Sequence, residues 1–508
     1  MPLAADALRS PRMTTDPCQS DSLAYLGLVE VGDHIRRGVL TSEQVTTEAL
    51  ARCHRLDSAL NSFVALLVDD ALQQARSVDR EIAMGLWRGP LHGVPVAVKD
   101  LLDMAGQPTA AGSVILRNNI AASDSTVVRK LRQAGAVILG KLHTTEAALL
   151  EHHPSLAQPR NPWSAEHWPG ASSSGPGVAT AAGLCYGAIG TDTGGSIRTP
   201  AAANGVSGLK PTWGRVSRHG LFPLAQSLDH IGPMARSVQD VAAMLQVIAG
   251  ADRRDPTALL APREDYLGQI AKPIDGVVIG IDQAFATYGL SPEISRTVHE
   301  FCEVMEDLGA QIRSVRMPWD DEIAEAGLTI VLAELAQTHV ELFPDHASQY
   351  GPHARASIEL GQGIAAAAYI RASQRRAAFT GEMGRLFQEV DVLITPGLGM
   401  PVPSLRELRA LASDVDAVRR TLYRFTSPFN LAGVPTLSFP GGFSESGLPL
   451  GLQLAAGRLN EDLLCRVGYA YQQVTDHHVR RPRLAETLGE RVSLAKHTAY
   501  RDPDCTDV

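Results

Sequence analysis

The chain is 508 residues long, with 44% hydrophobic and 20% charged residues and a formal net charge of −9. That is enough apolar material for a substantial core, and mild acidity without a dense Lys/Arg run excludes nucleic acid as the main ligand. Six scattered cysteines with no C-x-x-C pair fit neither a zinc site nor a disulfide framework, and no stretch reaches the roughly 18 uninterrupted apolar residues of a membrane span.

Residues 1–22 mix Pro, Asp and Ser with short apolar pieces. They lack the basic start and continuous apolar run of a secretory signal, so they are expected to form a loose tail on a cytoplasmic protein with reduced cysteines. Thr41 with Gln44 three positions on is a capping-box pattern, and Val45, Ala49, Cys53, Leu56 and Leu60 then fall on one helical face. Gly93 to Asp100 and Ala136 to Leu139 are short apolar runs bounded by glycine, the texture of buried strands with a helix between them. Ser237 to Gly250 has helix grammar again, with Ser237 as cap, a Val241, Leu245 and Ile248 stripe and a glycine stop.

Gly276–Ile281, Asp391–Thr395 and Val434–Phe439 are further strand candidates, while about 285–385 is rich in Ala, Glu and Leu and reads as helical. Strands separated by helices predict an α/β architecture. With no linker and no internal repeat, one domain over 23–482 is expected. It comprises a helical part at 23–85, a catalytic core at 86–250, a helical substrate-pocket insertion at about 285–385 and a C-terminal sheet half at 386–482. A second tail follows at 483–508.

The chemistry is expected in two small-residue segments, Gly170-Ala-Ser-Ser-Ser-Gly-Pro-Gly177 and Gly190-Thr-Asp-Thr-Gly-Gly-Ser-Ile-Arg198, joined by an apolar stretch that reads as helical. Glycines let backbone N–H groups turn toward a phosphate or toward the oxyanion of an acyl-transfer intermediate. Ser196 follows two glycines, and Pro176 suits the first turn of a helix behind Ser172, Ser173 and Ser174. Lys99 ends an apolar run, where burial would lower its pKa toward that of a usable base. His92 and the pairs His152-His153 and His477-His478 could serve a Ser-His arrangement, but no G-x-S-x-G elbow accompanies them. Gly135 to Lys141 nearly spells a P-loop, yet Leu142 stands where Mg²⁺ binding needs Ser or Thr, so Lys141 reads as structural.

These motifs resemble those of the amidase signature hydrolases. Gly93 to Asp100 is similar to the family's lysine strand, Gly170 to Gly175 to its first serine loop, and Gly190 to Pro200 to its nucleophile loop. Gly208-Leu-Lys-Pro-Thr212, Ser227 to Pro233, Asn430 to Pro435 and Gly447 to Gln453 follow in the family's order. The sequence departs from the common pattern at Ala171, Ser174 and Pro176. The resemblance implies a single α/β/α domain with a central mixed twisted sheet covered by helices on both faces.

It further implies a Ser-cisSer-Lys triad with Ser196 as nucleophile, Ser172 as bridging serine in a cis peptide, and neutral Lys99 as base. The 24 positions from Ser172 to Ser196 fit the family. The N–H groups of Thr193, Gly194, Gly195 and Ser196 would form the oxyanion hole, with Ser173, Asp192 and Arg198 supporting the site from behind. No metal or cofactor is implied. The expected activity is hydrolysis of small hydrophobic amides, extending to anilides, carbamates or urethanes and esters, by a monomer or homodimer without nucleic-acid or membrane partners. The alternative within the family is the glutaminase-type subunit of a tRNA-dependent amidotransferase. The Pro200-Ala-Ala-Ala-Asn-Gly205 and Glu151-His-His-Pro154 stretches look more like free-standing amidases.

Overall fold

A computed structural model describes residues 23–287, 289–412 and 414–483; the two expected tails lie almost wholly outside these residues. Its centre is one mixed sheet of eleven strands. In chain order these are β1 (Phe63–Leu66), β2 (Pro95–Lys99), β3 (Val137–Leu142), β4 (Gly187–Asp192), β5 (Ser207–Lys210), β6 (His230–Ala235), β7 (Val278–Ile281), β8 (Gln311–Ser314), β9 (Val392–Pro396), β10 (Thr436–Phe443) and β11 (Pro449–Ala456). Their spatial order is β1-β3-β2-β4-β6-β5-β10-β11-β9-β7-β8. The β3-β2-β4 and β9-β7-β8 neighbours run parallel, and the strands between them pair antiparallel. Every residue of β2, β3, β4 and β6 is buried, as expected of strands covered on both faces.

The helices follow local chemistry. Thr41 Oγ1 accepts from Gln44 N at 3.1 Å while the Gln44 side chain accepts from Thr41 N at 2.9 Å, so the capping box starts a helix over Ser42–Leu60. Ser237 caps the helix Val238–Ile248 through Asp240 N. The apolar faces of these elements meet the sheet in a large core that includes Val45, Val96, Ile138, Leu245 and Leu437. The helices Asp321–Thr338, Pro352–Gln362 and Ala366–Glu389 contribute to a second core around Ile330, Ile358, Phe379 and Phe429.

Three expectations need correction. The part expected to be helical over 23–85 contains β1, which pairs with β3 at the edge of the sheet between two helices. The stretch joining the serine segments is helical only over Ser174–Ala181; from Gly187 it is β4, which runs through Thr191 and Asp192 into the nucleophile loop. The strand is packed so closely that a Cβ on Gly187 would lie 2.4 Å from Met244 Sδ, and one on Gly190 would lie 2.9 Å from Ser173 Oγ. The helical stretch after residue 285 is interrupted by β8, an edge strand that is mostly exposed and so carries no apolar signature.

Candidate active site

Lys99 is the last residue of β2 and is fully buried. The β2–β4 register, with Val98 opposite Ile189, carries Lys99 alongside the end of β4. The segment before helix Ser174–Ala181 brings the serines to the same point, with the Ala171–Ser172 peptide bond cis. Lys99 Nζ lies 2.7 Å from Ser172 Oγ, 3.0 Å from Ser173 Oγ and 2.8 Å from Thr191 Oγ1. Burial holds the Lys99 pKa well below that of an ordinary lysine, and the charges of Asp192 and Asp229 do not restore it.

A neutral amine offers two N–H donors and one lone pair, which matches three hydroxyl partners. Ser173 Oγ donates to Thr191 O at 3.1 Å and so meets Lys99 as an acceptor. Of the two serines, Ser172 is therefore the one whose hydroxyl proton is not committed to another acceptor among the described residues. Ser173 also ties the loops together, since its N–H donates to Ser196 O at 3.1 Å. Thr191 carried no signal in the sequence beyond its place inside a motif.

The nucleophile loop is built around Asp192. Its carboxylate accepts from Gly195 N at 2.8 Å, Ile197 N at 3.1 Å and Arg198 Nε at 2.9 Å, with Arg198 Nη2 3.0 Å from the other oxygen. Arg198 is fully buried and donates onward to Thr426 O, Gln453 Oε1 and Asn430 Oδ1. Burial would push the Asp192 pKa up, but the Arg198 charge and hydrogen bonds outweigh it and hold the carboxyl well below the usual range. Gly195 sits at φ +139, and a Cβ there would lie 2.6 Å from Thr426 Oγ1, so only glycine fits.

This geometry modifies the expected set of oxyanion donors. The Gly195 amide is engaged by Asp192 and is not free for a ligand. The amides of Thr193, Gly194 and Ser196 have no partner among the described residues, and the half-buried Ser196 side chain has none either. Ser196 opens into a narrow space of about 10 Å³, walled by Leu149, Leu150, Trp168, Ala171, Leu422 and Tyr423.

His92, His477 and Lys141 lie outside this cluster. His92 is 3.0 Å from Glu81 Oε2 and accepts from Arg88 N, and His477 stacks on Tyr471. Lys141 pairs with Asp100 at 2.8 Å and donates to Pro108 O, a structural role. Among the histidines, His152 does reach the serine segment: its Nε2 is 3.2 Å from Ser174 Oγ, and burial lowers its pKa to about 3, so it is neutral there.

Asp229 accepts from Thr193 Oγ1 at 2.6 Å and from the amides of Leu224 and Ala225, and burial nevertheless raises its pKa from 3.8 to about 6. The folded protein therefore holds a proton here between about pH 4 and pH 6 that the unfolded chain releases, and this contribution to stability is lost as pH rises through about 6. Relative to Asp229→Asn, the wild type is expected to gain about 2 kcal/mol on going from pH 7 to pH 4. Urea unfolding of both proteins at the two pH values checks this; a difference independent of pH contradicts it.

The Amidase family model matches residues 44–465. The Mycobacterium tuberculosis protein named "Putative amidase AmiD" is 44% identical over 478 residues, covering 94% of this chain and 99% of that protein. A glutamyl-tRNA(Gln) amidotransferase subunit of Syntrophobacter fumaroxidans is 38% identical, covering 90% of this chain and 98% of its own length. The crystal structure of native peptide amidase from Stenotrophomonas maltophilia superposes with a TM-score of 0.78 at 33% identity, covering 90% of this chain and 98% of that one. With the mixed sheet, the buried lysine and the two serine-bearing loops in place, these likenesses show that the chain belongs to the amidase family, enzymes that hydrolyse C–N bonds.

Proposed function

We propose that this enzyme hydrolyses small amides with an apolar acyl group through Ser196, Ser172 and Lys99, and that anilides, carbamates or urethanes and esters are also within its reach. The observation that carries the mechanism is the hydrogen-bonding of Lys99, which leaves Ser172 as the serine able to give it a proton. Lys99 takes the Ser172 proton as Ser172 takes that of Ser196, and Ser196 Oγ attacks the carbonyl carbon. The oxyanion is received by the free amides of Thr193, Gly194 and Ser196. As the tetrahedral adduct collapses, Ser172 protonates the leaving nitrogen and regains a proton from Lys99, and the amine departs. Water then attacks the acyl-Ser196 ester by the same relay, releasing the acid. The apolar walls around Ser196 support the choice of acyl group.

The two serines are expected to behave differently. Ser172→Ala should lower kcat for an amide by about 10³-fold or more, since the proton for the leaving nitrogen is lost. With a p-nitrophenyl ester, whose leaving group needs no proton, it should still acylate slowly. Ser173→Ala keeps the relay and should cost about tenfold or less. Stopped-flow acylation and steady-state amide hydrolysis for both variants test this, and the reverse ranking would assign the bridge to Ser173.

A second reading, the glutaminase component of an amidotransferase, draws support from the likeness to the Syntrophobacter fumaroxidans protein. The two readings diverge in the isolated protein. Hydrolysis of butyramide or an anilide without glutaminase activity supports the free-standing amidase, and glutamine hydrolysis without any apolar amide being cut supports the amidotransferase component.

A further inference from the structure

The narrow space at Ser196 lies next to another opening in the protein. Two of its wall residues, Leu150 and Trp168, also line a second, much larger cleft of about 830 Å³. The narrow part is walled mainly by apolar side chains, whereas the outer cleft mixes apolar residues such as Pro159, Leu405 and Leu408 with the charged Glu151, Arg160, Glu166 and Arg409. None of these four makes a salt bridge with another described residue, and Glu151 acts on His353 only through its charge. A cleft lined by unpaired charges of both signs suits a ligand with many hydrogen-bonding groups and a charge of its own better than an apolar one.

The position of the cleft says which half of an amide it receives. It touches the serine segment on both flanks: Trp168 and Pro169 lie just before Ala171 and Ser172, and His152, on the cleft wall, is 3.2 Å from Ser174 Oγ. The nucleophile-loop residues Gly195 and Thr199, by contrast, border only the narrow part, together with Leu422 and Tyr423. In the proposed mechanism the leaving nitrogen must approach Ser172, so the amine half lies on the serine-segment side. The acyl half stays under Leu422 and Tyr423. We infer that the outer cleft binds the amine half of the substrate, that this half is an extended, polar, peptide-like amine, and that the enzyme cuts a slender apolar acyl group from it. This rests on the mechanism proposed above and adds the direction in which the substrate lies.

The test compares two amides of opposite polarity. Butyryl-glycylglycine places the apolar group on the acyl side, and acetyl-glycylglycine butylamide places it on the amine side. The expected kcat/KM for release of butyrate exceeds that for release of butylamine by about tenfold or more. Arg409→Ala and Glu151→Ala are expected to narrow this ratio about threefold each, mainly through KM for the first substrate. Equal rates, a preference for the butylamide, or a ratio unmoved by both variants would overturn the orientation. If neither compound is cut while p-nitrophenyl butyrate still acylates Ser196, the cleft assignment fails and the mechanism stands. If the ester does not acylate Ser196 either, the mechanism itself fails and the orientation falls with it.

Discussion

Ser196→Ala is expected to lower amide turnover by on the order of 10⁴-fold or more while leaving the fold intact. The side chain makes no hydrogen bond among the described residues and faces the narrow space rather than the core, so removing its hydroxyl removes chemistry and little packing. The loop stays held from behind, because Asp192 grips Gly195 N and Ile197 N without the help of the hydroxyl. The free amides and the pocket walls also remain, so binding of an uncleaved amide should be nearly unchanged. Steady-state hydrolysis, with circular dichroism and isothermal binding of the same amide, separates these effects. Residual turnover above about one tenth of wild type would remove Ser196 from the reaction.

Arg198→Ala is expected to cost about 3–5 kcal/mol of folding stability and most of the activity as well. A buried ion pair is weak evidence for net stabilisation, because desolvating two charges offsets their attraction; breaking one is costly, because the partner is left buried and uncompensated. Here the stranded group is the fully buried Asp192, and the same guanidinium also satisfies Thr426 O, Gln453 Oε1 and Asn430 Oδ1. Without Arg198 the Asp192 pKa should rise toward that of a buried neutral acid, and the carboxyl would hold the Gly195 and Ile197 amides less firmly. Arg198→Lys keeps the charge but not the planar fork of donors, so it should fall between wild type and Arg198→Ala in both urea midpoint and kcat. Unchanged stability in Arg198→Ala would mean that the network does not hold the loop.

The parts of the site that a reader of the sequence can find are those whose signal is local. Lys99 closes an apolar β-branched run, which marks both the strand and the burial that lowers its pKa. Ser196 follows two glycines, and Ser172 to Ser174 precede a proline that suits a helix start. The strand β4 is harder to see, because Gly-Ala-Ile-Gly-Thr-Asp has little β-propensity of its own. Its small residues answer to the space left by Met244 and Ser173, a tertiary demand that overrides propensity.

What lay beyond the sequence is the network behind the nucleophile loop. Thr426, Asn430 and Gln453 meet Arg198 across 228, 232 and 255 positions of chain. The motifs holding Asn430 and Gln453 could be recognised as familial, while Thr426 lies in none; the sheet order, which sets β5 and β10 between β6 and β11, brings them to the loop. The occupied Gly195 amide was hidden for the opposite reason. It is an interaction over three residues, and the sequence Asp-Thr-Gly-Gly permits its N–H to face either the aspartate or the ligand.

The most direct measurement is the site of acylation. Wild-type enzyme mixed with p-nitrophenyl butyrate, quenched in acid within the first turnover and digested, should carry the butyryl mass on the peptide containing Ser196. Fragmentation should place it on that serine. Butyryl mass on Ser172 or Ser173, or turnover of the ester with no acyl-peptide at any quench time, would contradict Ser196 as nucleophile and the relay built on it.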